Sequence, residues 1–175
     1  MMPLVAVLVL AFQAGGAESA TLHRRGSPPV CAGIRVSSPS LSPTPRDLVF
    51  SSREILDLRF EARLRSAPKG DHRLRFRILT PSGFLYQAVT VPFVGVGDRA
   101  DAARLVPGYP RPVPVQRLIP VAEGSAGPVY ALGTQMPVAG TSITQSSLYG
   151  RWTVESYLDD ETEACGPAAR FTIRD

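Results

Sequence analysis

Leu56-Asp57-Leu58-Arg59-Phe60-Glu61-Ala62-Arg63-Leu64-Arg65 decides the fold. Every even position is apolar and every odd position is charged. That strict period of two marks a strand with one face buried and one face in water. Ser66 to Asp71 connects it to a second stretch of the same kind. There Leu74, Phe76 and Ile78 point one way and Arg73, Arg75 and Arg77 the other. Thr80-Pro81-Ser82-Gly83 reads as a turn, with proline suited to its second position and glycine tolerant of positive φ. Residues 84–91 form the next strand, ended by Pro92.

Working outward, residues 33–37 and 138–144 read as short strands, 150–159 as a strong one with Trp152, Val154 and Leu158 on one face, and 168–173 as the last. Ser38 to Pro45 is a proline- and serine-rich loop, and 160–167 is an acidic turn holding Cys165. The expectation is one all-β domain, a sandwich or barrel of about seven short strands. Residues 93–135 interrupt it as a long Pro/Gly-rich insertion, with Pro107, Pro110, Pro112, Pro114, Pro120 and Pro128. Tyr109 to Pro114 favours an extended path. Asp98 to Leu105 is expected to make one short helical turn. Ile119-Pro120-Val121-Ala122 and Met136-Pro137-Val138-Ala139 read as two edge strands, where proline is tolerated.

Leu4 to Phe12 is an unbroken apolar run, too short to span a bilayer. Small residues follow it, as in a secretory leader, with cleavage after Ala17 or Ser19. The expected organisation is a leader over 1–19, a flexible segment over 20–32 and the domain over 33–175. The expected location is periplasmic or extracellular, with no membrane span once the leader is removed. The net charge is +4, and losing the single negative charge of Glu18 with the leader makes it +5. Lys69 is the one lysine among 19 basic residues. No clustered basic face with interleaved aromatics points to nucleic acid. Two cysteines in an exported chain favour a disulfide, Cys31 to Cys165 being the one intramolecular pairing there is. Two cysteines and two histidines so far apart match no zinc spacing, so neither metal nor cofactor is expected.

Arg73 to Gly83 resembles a strand running into a Pro-x-Gly turn. Gly150-x-Trp152-x-Val154-x-x-Tyr157-x-Asp159 resembles a Gly-x-Trp-x-Val-x-x-Tyr-x-Asp strand. Together they resemble bacterial immunoglobulin-like and macroglobulin-type extracytoplasmic sandwich domains, over residues 33–92 and 137–174. The resemblance implies an immunoglobulin-like antiparallel sandwich serving as a spacer, adhesion or docking module. It also implies that the first and last strands run parallel, side by side, which would bring Cys31 and Cys165 together.

Candidate chemistry is sparse. His72, the one histidine of the domain, has no serine in a Gly-x-Ser-x-Gly elbow to serve. It reads as a surface histidine. Asp159-Asp160-Glu161-x-Glu163 lacks the EF-hand pattern and reads as a solvated turn. Trp152 reads as core, not as a sugar platform. No catalytic residue is expected, and the chain is not expected to be an enzyme. The insertion is the expected binding element, with Tyr109 and Arg111 as anchors for a protein partner in the envelope. The alternative is an acidic-glycan binder using an arginine face built from Arg59, Arg63, Arg65, Arg73, Arg75 and Arg77, provided both strands lie in one sheet. A remoter alternative, an enzyme with an unrecognised site, requires His72 and the 159–163 carboxylates to meet in a cleft.

Overall fold

The computed structural model describes residues 30–99, 101–124 and 127–175. The expected leader and the approach through residue 29 lie outside these. In chain order the described residues form β1 (Cys31–Ser37), β2 (Val49–Ser51), β3 (Asp57–Leu64), β4 (Asp71–Leu79), β5 (Leu85–Val94), β6 (Ala103–Arg104), β7 (Val113–Pro114), β8 (Gln116–Arg117), β9 (Ile119–Gly124), β10 (Gly127–Pro137), the short helix α1 (Ser142–Gln145), β11 (Gly150–Leu158) and β12 (Ala169–Arg174). The chain is all-β. Its strands exceed the expected number because β2, β6, β7 and β8 have only two or three residues and because the insertion contributes β9 and β10.

One sheet, here called the front, has the order β1-β3-β10-β9. The back sheet has the order β2-β12-β11-β4-β5-β8, and β6 pairs with β7 as a separate ribbon. The alternating stretches behave as their period demands. Leu58, Phe60, Ala62 and Leu64 of β3 and Leu74, Phe76 and Ile78 of β4 are all fully buried. They meet in one core, because β3 lies in the front sheet and β4 in the back sheet. Phe60 of β3 packs on Phe171 of β12 with ring centroids 5.5 Å apart. Trp152 lies between Tyr86, edge-on at 5.2 Å, and Phe171, stacked at 6.3 Å. Its indole N–H donates to the Leu148 carbonyl at 3.1 Å, so the ring is buried without an orphaned donor. Leu56 shares the apolar parity but is 65% exposed, because it lies one residue before β3 begins.

The turn after β4 is built as expected. Gly83 has φ +85°, its N–H donates to the Thr80 carbonyl at 2.9 Å, and the Thr80 N–H donates to the Phe84 carbonyl at 2.8 Å. Three expectations are corrected. Residues 138–144 are not a strand: β10 ends at Pro137, and Thr141 caps α1 by accepting from the Ile143 N–H at 3.2 Å. Asp98 to Leu105 carries no helical turn among its described residues; the extended β6 lies there, and Asp98 and Arg104 are drawn to the β3–β4 connection through Gly70 and Asp71. Residues 93–135 are not one irregular insertion, since β5 continues through Pro92 to Val94 and β9 and β10 pair as a hairpin. The expected edge strand at 119–122 falls in β9, at the edge of the front sheet, where proline is tolerated; the one expected at 136–139 is instead the end of β10, an inner strand between β3 and β9 that stops at Pro137.

Cys31 and Cys165 are bridged, with Cα atoms 5.1 Å apart, and the Cys31 N–H donates to the Cys165 carbonyl at 2.9 Å. The route differs from the expected one. The parallel neighbour of β12 is β2, while β1 pairs with β3 in the front sheet. The bridge therefore ties the two sheets together, and β1 begins at Cys31 itself. Gly166 lies so close that a Cβ on it would stand 2.2 Å from the Cys31 carbonyl oxygen, so only glycine fits beside the bridge. The bridged residues are 134 apart in sequence. Chain-entropy arguments assign such a loop up to about 4–5 kcal/mol, and measured bridges usually give about 2–4. Reduction, or Cys165→Ser, is expected to lower the melting temperature by about 5–15 °C with an unchanged β-type circular dichroism spectrum. Coincident melting curves for oxidised and reduced protein would show that the bridge contributes nothing.

Candidate functional site

Placing β3 and β4 in opposite sheets splits the arginines that the sequence put on one parity. Arg73, Arg75 and Arg77 lie on the outer face of the back sheet, where the protein's own groups occupy them. Arg73 reaches Asp160 at 2.9 Å. Arg77 donates to the Tyr157 hydroxyl at 3.2 Å and lies 3.8 Å from Glu155, to which Tyr157 in turn donates at 2.8 Å. The Arg75 and Arg77 guanidinium carbons lie 5.3 and 5.5 Å from the Tyr157 ring centroid, within cation–π range. This face is largely spent on itself.

Tyr109 does not project as an anchor. It is half-buried, and its hydroxyl accepts from the Thr90 N–H at 2.7 Å. Thr90 belongs to β5, whose outer edge is paired only at Phe93 and Val94, with β8. The segment around Tyr109 therefore covers an otherwise open sheet edge, a common defence against edge-to-edge association. Arg111, two residues on, is exposed.

His72 and the acidic turn, far apart in sequence, do meet. His72 Nδ1 lies 3.0 Å from Asp159 Oδ2 and Nε2 lies 2.9 Å from the Lys69 carbonyl. The ring stacks on Phe93 at 5.5 Å, and the second Asp159 oxygen accepts from the Arg73 N–H at 2.9 Å. A small hollow of about 220 Å³ adjoins it, lined by Asp71, His72, Arg73, Arg104 and Val106 among others. Both ring nitrogens have partners, so neither is left to take a proton from a substrate. Burial alone would lower the pKa of His72. The bond to Asp159, the Lys69 carbonyl and the negative charges of Asp159 and Asp71 outweigh it, and the net direction is upward. With both N–H groups donating, the imidazolium is the better-held form. Among the described residues no group of three or more His, Cys, Asp or Glu side chains is placed to hold a metal ion, and no helix is long and apolar enough to cross a membrane.

The sequence reading missed a groove at the crossing between the two sheets. Between β8 and β9 the chain crosses from the edge of the back sheet to the edge of the front sheet. Leu118, only 6% exposed, is the plug at the crossing. The Gln116 side chain donates to the Gly133 carbonyl at 3.0 Å and accepts from the Gly133 N–H at 3.4 Å, so its amide stands in for a strand beside β10. The crossing thus forms one wall of a groove of about 600 Å³ over the outer face of the front sheet. Arg117, Ile119 and Val121 line that wall, Arg59 and Glu61 of β3 the opposite one, and Ala131 and Gly133 the floor. A second hollow of about 410 Å³, lined by Gly33, Arg35 and Arg63 among others, lies further across the same face. The sequence held one signal for this: the small residues of β10 opposite the charged side of β3.

A raised His72 pKa means that its stabilisation is complete below the ordinary histidine value near 6.5 and is lost as pH rises through the folded value. The difference in melting temperature between wild type and His72→Gln should therefore shrink from about pH 6 to about pH 9; a pH-independent difference would refute the doubly bonded imidazolium. Tyr109→Phe, which removes the acceptor for Thr90, should cost about 1 kcal/mol in denaturant unfolding, whereas no loss would return Tyr109 to the free surface.

No protein-family model matches the chain. No curated protein sequence matches it significantly. Among solved structures it is similar to Pseudomonas fluorescens alkylpurine DNA glycosylase AlkC bound to DNA containing an abasic site analog, at 14% identity and a TM-score of 0.35, over 81% of this chain and 30% of that one. The chain thus spans less than a third of that protein, and a likeness this loose carries no argument about fold or function.

Proposed function

We propose that this chain is an exported, non-enzymatic, immunoglobulin-like sandwich module that binds a protein partner through the groove on the outer face of its front sheet. The observation that carries the reading is the groove itself: an open, well-framed hollow beside which the chain exposes apolar side chains, Ile119 at 63% and Val121 at 40%. Binding residues lie disproportionately on connections held by a rigid scaffold, as this crossing is. Most other candidates are occupied internally, His72 by Asp159 and Lys69, Tyr109 by Thr90, Arg73 by Asp160 and Arg77 by Tyr157 and Glu155, while Arg111 is exposed beside the covered edge of β5. The inter-sheet disulfide favours an oxidising compartment. The two-sheet architecture and the Pro-x-Gly turn favour the immunoglobulin-like reading, with β9 and β10 as its elaboration. Trp152, fully buried, offers no sugar platform, and among the described residues the groove's lining holds no aromatic side chain. These points weigh against a carbohydrate ligand.

A photo-reactive residue replacing Val121 should give a discrete adduct with a partner in the native envelope or culture fluid. The same residue replacing the exposed Arg170 of β12, on the back sheet, should not. Equal adducts from both positions, or none from Val121, would overturn the reading.

A further inference from the structure

Resting on the binding reading above, we infer that the groove takes an extended, acidic segment of the partner, with carboxylates on Arg59 and Arg117 and an apolar side chain on Ile119 and Val121.

Charge points there first. Among the described side chains, the two hollows of the front face are lined by Arg35, Arg59, Arg63 and Arg117 against one carboxylate, Glu61. That carboxylate does not consume them. Its contacts with Arg59 and Arg63 are both 4.0 Å, at the outer limit of an ion pair, while on the back face Arg73 and Asp160 close to 2.9 Å. Among the described residues Arg35 and Arg117 have no carboxylate within 4.0 Å. Guanidinium groups with unspent N–H donors recognise carboxylates in a planar, two-bond geometry.

Shape points the same way. Ile119 and Val121 are two residues apart on β9 and both face the groove. Between them and Arg59 the floor is Ala131 and Gly133, and a Cβ on Gly133 would stand 3.6 Å from the Arg59 Nε. Absent side chains here leave room for a ligand's backbone to lie low across the sheet beside the guanidinium. One strip thus offers apolar contact on one wall and positive charge on both, which matches a peptide with mixed acidic and apolar side chains.

The test uses labelled, end-capped octapeptides alternating valine with glutamate, with glutamine or with lysine, titrated into the oxidised mature protein, alongside the Val121 cross-link. The glutamate peptide should bind saturably and weaken about tenfold between about 50 and 500 mM salt. Arg59→Gln and Arg117→Gln should each lose about tenfold. Arg59→Glu with Arg117→Glu should prefer the lysine peptide and abolish the Val121 adduct, while Arg73→Glu, on the back face, should do neither. Melting curves of the variants establish that they are folded. Equal binding of all three peptides, or an adduct that survives the double charge reversal, would overturn the acidic-segment inference and leave the groove reading intact. Loss of the adduct in wild type as well would overturn both. Capture of a sulfated oligosaccharide in preference to the glutamate peptide, or concentration-dependent self-association that the arginine variants abolish, would replace the peptide by a glycan or by a second copy of this chain.

Discussion

One apolar layer between two sheets organises this protein. Consecutive strands β3 and β4 carry the same alternation, and each turns its even residues into that layer from opposite sides. Their charged sides must then face opposite solvents. Burying each large side chain of the layer contributes about 1.5–3 kcal/mol, set against the entropy of ordering the chain. Nothing on the outer faces competes with a drive of that size. The arrangement of arginines is therefore a consequence of core packing: three from β4 go to the back and those of β3 to the front. What became of them differs. On the back, Tyr157 gives Arg75 and Arg77 a π face, and Glu155 and Asp160 give carboxylates. On the front, Ala131 and Gly133 of β10 stand opposite Arg63 and Glu61 and offer no partner, and Arg59 faces Gln135 rather than a carboxylate.

How much of this was legible follows from what a period of two specifies. It states which residues share a face, and so Leu58, Phe60, Leu74 and Phe76 were readable as core. It does not state which strand lies alongside, so the division of the arginine face between sheets was not readable. Proline was allowed for only at edge strands over 119–122 and 136–139, so the continuation of β5 through Pro92 and the full length of β10, an inner strand, were not read. Thr141 misled it in the other direction: a threonine followed by apolar residues scores as strand, and its hydroxyl instead capped a helical turn. The disulfide was readable from residue count, although β1 and β12 are not paired side by side in one sheet as the resemblance implied.

Long-range side-chain meetings were beyond reach. His72 and Asp159 are 87 residues apart, and they touch because β4 and β11 pair with Leu74 opposite Leu158, which brings the end of β11 to the start of β4. Ladder register, not local pattern, made that contact. It is also self-consuming: a ring bonded at both nitrogens and stacked on Phe93 is a strut between the start of β4 and the turn after β11. The cluster that most resembled chemistry in the sequence is thus better accounted for as architecture.

The crossing at Gln116 to Ile119 joins two requirements that look separate. β5 has an edge to be covered, and the front sheet needs a wall if it is to hold a ligand. The same chain does both: Tyr109 covers Thr90, Gln116 and Arg117 pair with Phe93 and Val94, Leu118 fills the seam, and Ile119 opens the edge strand of the other sheet. Because Gln116 is also bonded to Gly133, the wall is fixed to both sheets at once. A groove framed this way presents Arg117 and Ile119 from anchored backbone, so a ligand meets them without first ordering a loop, and the entropy of ordering that binding otherwise loses is already spent in folding. Had the connection been the free loop that its prolines and glycines advertised, Arg111 and Tyr109 would have been the natural contacts. Its attachment moves the candidate site a few residues along the chain and onto the face of the sheet.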